Sequence, residues 1–146
     1  MKTKHLFVML SFLLCIPSFT FAETQQEDKT KPTINLMEPR DGAIVKIGDG
    51  AGMHFDMELL DNVMLATYKL EVYENFGNFN PHRVDDSTVD YSFSKVYDVS
   101  GREKARVHHH EVQIPVNATP GHYHFIVTCT DAAGNESSVI RNIMLK

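Results

Sequence analysis

PGHYHFIVTCTDAAGNES, residues 120–137, decides how the chain is read. Large apolar residues fall on every second position: Tyr123, Phe125, Val127, Cys129. That period marks a strand with one buried face. AAGN then supplies a turn, and SSVIRNIMLK (137–146) a last strand. The same rhythm runs through GMHFDMELL (52–60), where Met53, Phe55, Met57 and Leu59 share a face. It recurs in ATYKLEVYENF (66–76), with Tyr68, Leu70 and Val72 inward. Shorter runs at 33–39, 43–47, 89–99 and 106–115 complete the set, with turns predicted at Asp61-Asn62 and at SGREK (100–104). About seven short strands without a helical period predict an all-β chain, a β-sandwich.

The closing pattern G-x-Y-x-F-x-V-x-x-x-D-x-x-G-N resembles the end of many bacterial immunoglobulin-like and fibronectin-III-like modules. The resemblance implies an Ig-like sandwich with Tyr123 as a buried tyrosine corner. It also implies that Asp131 and Asn135 shape the final hairpin and that Gly134 takes a positive φ. The mature chain is similar to a narrower group, an uncharacterised Bacteroidetes family of small exported Ig-like proteins (domain of unknown function 4625). The matching elements are VYENFG (72–77), Asn78 to His82, HHHEVQIP (108–115) and GHYHF (121–125). Here Tyr73 stands where the family has a first histidine and Gly77 where it has an aspartate, and His82 is the one histidine kept in the loop. The resemblance carries a fold and no activity.

Residues 1–22 open with Lys2 and Lys4, run apolar from Leu6 to Ile16, and end in Thr20-Phe21-Ala22. This reads as an export signal cleaved after Ala22. A membrane span needs roughly 20 unbroken apolar residues, and Pro17-Ser18 interrupt the run. Acylation at Cys15 is the rival processing route, disfavoured by Leu14 before it. Residues 23–32 read as a flexible leader and 33–146 as the domain. Cleavage leaves Cys129 as the single cysteine, a buried small hydrophobe without a disulfide partner. Without Lys2 and Lys4, 12 basic face 19 acidic side chains. That balance disfavours nucleic acid and anionic lipid as partners and slightly favours cations.

Five of the eight histidines lie between 108 and 124. With Tyr123 and Phe125 inward, His122 and His124 project outward together, roughly 6–7 Å apart. They would lie beside Tyr73 and Glu71, under the loop that carries His82. His82, His122 and His124 are thus the first candidate metal ligands, for zinc or copper. Equally, outward strand positions simply need polar side chains. In RVHHHEV (106–112), counting back from Val112 and Ile114 puts His110 and His108 on the core side and His109 outward, opposite Asp56 or Glu58. His54, His109 and His110 form a second, weaker candidate set, whose plain reading is a surface charge pair beside partly covered rings.

Asp85, Asp86 and Asp90 lack the oxygen spacing of a calcium loop. No G-x-S-x-G occurs and no nucleophile has an evident base, so the chain reads as non-enzymatic. Two functions remain: an exported metal carrier, buffer or uptake accessory in the periplasm or at the cell surface, or an adhesive Ig module for an envelope protein or glycan.

Overall fold

The computed structural model describes residues 27–75 and 87–146. Six strands follow one another: β1 Thr33–Glu38, β2 Ala43–Val45, β3 Met53–Glu74, β4 Phe93–Val112, β5 Gly121–Asp131 and β6 Glu136–Leu145. The described residues are all-β. Among them no helix is long and apolar enough to cross a membrane. The sheet runs β1-β3-β5-β6-β2, and β4 lies along the other flank of β3.

The turns predicted at 61–62 and 100–104 do not break the chain into separate strands. β3 spans 22 residues and β4 spans 20. At the first bend Asp61 Oδ2 accepts from the backbone N–H of Val63 (2.9 Å) and Met64 (2.7 Å). Pairing with β4 shifts register between Leu60 and Leu65, then resumes. At the second, Gly101 takes φ +77°. Short polar stretches therefore redirect the strands without ending them. The first half of β3 pairs with β1 and with the C-terminal half of β4. Its second half pairs with β5 and with the N-terminal half of β4.

The sheet curls back over a single core. Phe55, in the first half of β3, lies 6.3 Å from Phe125 of β5, which pairs with the second half. Likewise β4 folds until Lys95 reaches Glu111 at 2.9 Å, sixteen residues away. The result is a β-sandwich-like packing. The inward sets read from the sequence are buried: Met53, Phe55, Met57 and Leu59; Tyr68, Leu70 and Val72; Tyr123, Phe125, Val127 and Cys129. Each large member contributes about 1.5–3 kcal/mol relative to exposure.

Two local devices close the structure. The Tyr123 hydroxyl donates to the Thr119 carbonyl at 2.9 Å and accepts from Tyr91 N–H at 3.3 Å, which is the contact of a tyrosine corner. Tyr123→Phe strands both partners, and the expected cost is about 2 kcal/mol, or a Tm lower by roughly 8 °C. An unchanged thermal melt would show the corner to be energetically idle. The second device is the β5–β6 turn. Gly134 has φ +90° there, and Asn135 N–H and Nδ2 donate to the two oxygens of Asp131, each at 2.8 Å. Asn135 Nδ2 also reaches the carbonyls of Asp28 (3.1 Å) and Thr30 (3.3 Å). The end of the segment read as a leader is therefore held against the domain, and Pro32 is buried.

Candidate metal centre

The site lies on the outer face of the β3–β4 pair. On β3, Phe55 and Met57 point inward, so His54, Asp56 and Glu58 point outward. On β4, Ala105 and Val107 are buried, so Lys104, Arg106 and His108 share the outer face. Phe55 pairs with His109, yet Met53 pairs with Val112. Two residues of β3 span three of β4, so β4 carries one extra residue, a β-bulge. Val112 and Ile114 are buried as read. Alternation counted back from them crosses this bulge and comes out inverted. The inward placement of His108 and His110, and the outward placement of His109, are corrected accordingly.

His109 continues the inward phase of Ala105 and Val107. Its ring centroid is 5.5 Å from Phe55 and 6.4 Å from Tyr97, on the Phe55 side of the sheet, and the residue is exposed as expected. His54 and His110 do come together, with His108 and not His109 as the third member. The His54 ring stacks on His110 at 4.7 Å with planes 13° apart, and meets His108 edge-on at 4.7 Å. One nitrogen from each of the three lies within 4.8 Å of the others. Two nitrogens on one zinc sit about 3.3 Å apart, given Zn–N bonds near 2.0–2.1 Å. Because the His54 and His110 rings stack face to face, one of them must turn before both nitrogens can aim at a common ion. His54 Nε2 is sealed from solvent and has no hydrogen-bond partner. An unsatisfied buried nitrogen between two exposed imidazoles suits a ligand to a cation.

The rest of this face is already neutralised. Arg106 makes a two-pronged pair with Asp56, Nε to Oδ1 at 3.1 Å and Nη2 to Oδ2 at 2.7 Å. Lys104 pairs with Glu58 and holds that carboxyl below its ordinary range. The bulge itself rests on Gly52, φ +78°, where an added Cβ would stand 1.8 Å from the His110 carbonyl oxygen. Gln113 Nε2 donates to that same oxygen at 3.3 Å.

The first candidate set is spread differently. His122 and His124 lie on β5 opposite Met144 and Asn142 of β6. His124 pairs with Tyr73, whose ring is 5.6 Å away and edge-on, as its outward register implied. Asn75 N–H donates to the His122 carbonyl at 2.8 Å. His82 lies outside the described residues, as do Asp85 and Asp86. Among the described residues, neither His122 nor His124 joins a group of three ligands. Cys129 is fully buried, and its thiol is pushed up to about 11 by burial and by the nearby Asp61 and Asp131. It is a core side chain.

Asp28, Asp61 and Asp131 also converge to within 4.8 Å. Most of their oxygens serve the fold: Asp28 Oδ1 accepts from Asn62 and from Thr30 N–H, Asp61 Oδ2 from the bend, and Asp131 from Asn135, while Asp61 Oδ1 is buried without a partner. Sequence reading passed over His108 because an inverted count hid it. The available signal was Gly52, a glycine placed where a strand should begin.

Fold and site define an all-β, sandwich-like domain bearing an imidazole cluster on one outer face. The chain belongs to the family described as Domain of unknown function (DUF4625), whose model matches residues 20–146. No curated protein matches the sequence.

Proposed function

We propose that this is an exported, non-enzymatic domain that binds a transition-metal ion, zinc or copper, through His54, His108 and His110. It would serve as a carrier, buffer or uptake accessory in the periplasm or at the cell surface. One observation carries the reading: three imidazoles from two neighbouring strands each offer a nitrogen within 4.8 Å of the others. Nitrogen donors of this kind suit zinc, copper and nickel over calcium or magnesium. Export is supported by the basic, apolar and small-residue order of residues 1–22.

The test is calorimetric titration of tag-free mature chain with zinc and with copper(II). Wild type should bind one ion. His54→Ala/His108→Ala/His110→Ala should weaken binding by more than about 100-fold, beyond the loss expected from a supporting residue alone. His122→Ala/His124→Ala should bind like wild type. The opposite ranking would move the site to β5. Equal binding by all three proteins would end the proposal.

A further inference from the structure

The outer face of β3 and β4 is a ladder of diagonal pairs: Glu58 with Lys104, Asp56 with Arg106, His54 with His108 and His110. The first two rungs join an acid to a base. The third holds only imidazoles. Arg106 precedes His108 by two residues on the same face, so their Cα atoms are roughly 6.6 Å apart along the strand, and its guanidinium reaches across to Asp56, the residue opposite His108. A bare guanidinium there would repel a dication. Asp56 prevents this, since both of its oxygens are engaged by Arg106. The Asp56 side chain is 15% exposed and that of Arg106 is 59% exposed, so the acid is the fixed partner and the base is placed by it.

Resting on the metal reading above, we propose that Asp56 tunes the affinity of the site. Its pairing with Arg106 cancels the cation next in line from the ligands along this face of β4, and sets both the affinity for a dication and its dependence on salt. Asp56 touches no ion; both its oxygens are committed to Arg106. Its influence is electrostatic, exerted through Arg106. At such a range one uncompensated charge weakens dication binding roughly three- to tenfold at low ionic strength. The effect fades once the Debye length falls to about 3–4 Å, near 1 M salt. The Lys104–Glu58 rung lies one step farther, past the Debye length of about 10 Å at 0.1 M salt, and counts for less.

The experiment measures zinc affinity by competition with a chromophoric chelator, at low and at high salt. Asp56→Asn should bind three- to tenfold more weakly than wild type at low salt and converge with it at high salt. Arg106→Gln, which leaves Asp56 unopposed, should bind more tightly. Asp56→Asn/Arg106→Gln should return to the wild-type value, and Glu58→Gln should stay near it. An Asp56→Asn affinity equal to wild type overturns the inference. So does a loss that persists at high salt, or one that the double variant does not reverse, because either would mark a packing role. If Asp56→Asn fails to fold, Arg106→Gln decides: no tightening at low salt refutes it. Should wild type bind zinc no better than His54→Ala/His108→Ala/His110→Ala, the metal reading itself fails and this inference falls with it. If wild type binds and the charge variants do not differ, only the role of Asp56 is lost.

Discussion

Replacing Gly52 by alanine is expected to lower the Tm by more than about 10 °C and to dismantle the imidazole cluster. Two costs combine. An L-residue at φ +78° pays about 1–2 kcal/mol for the left-handed backbone. The new Cβ would also stand 1.8 Å from the His110 carbonyl oxygen and 2.9 Å from its carbon. These are backbone atoms inside a paired strand, so relief requires the bulge to move. When the bulge moves, His110 leaves His54. Gly50 provides the control on the same loop: its φ is +70°, and an added Cβ meets nothing within 4 Å. Gly50→Ala should therefore show the backbone cost alone. Thermal melts of both variants, with zinc titrations, separate the terms. Equal melting temperatures for the two would refute the steric account.

Asn135→Ala should cost about 2–4 kcal/mol, because one amide satisfies Asp131 and anchors the chain before β1. Asp131 is 2% exposed. Burial alone would raise its carboxyl. The Asn135 side chain and N–H, with the backbone of Ala133 and Gly134, outweigh that and hold it below the ordinary carboxylate range. A carboxyl lowered by folding adds stability above its unfolded value, near pH 3.9, and loses it as the pH falls through the lower folded value. The Tm gap between wild type and Asn135→Ala should thus be full at pH 6 and shrink below about pH 4. A gap of constant size from pH 6 to pH 3 would mean that the bond to the ionised carboxylate contributes nothing.

Most of the inward face was legible because period-two alternation reports burial directly. It held through Tyr68–Val72 and Tyr123–Cys129, where strand pairing is regular, and through Met53–Leu59, where the extra residue falls on the partner strand β4. It failed in two places, for different reasons. Asp61-Asn62 and SGREK have turn composition, yet side-chain hydrogen bonds and Gly101 let the strands bend and continue. Composition registers a change of direction and not whether pairing resumes after it. At RVHHHEV the count was inverted, because a single extra residue flips every side chain beyond it. The three consecutive histidines looked unable to share a target. The bulge leaves His109 against Phe55 and sends His108 and His110 to the side where His54 waits. Only the partner strand reveals that offset, and a linear sequence does not carry pairing.

β3 and β4 each pass through both halves of the curled sheet. In a sandwich built from separate strands, one layer can loosen at its connecting loops while the other stays paired. Here the connections are bends of β3 and β4 themselves, where cross-strand pairing lapses between Leu60 and Leu65 and then resumes. Backbone continuity through those bends ties the half that carries the imidazole cluster to the half that pairs with β5.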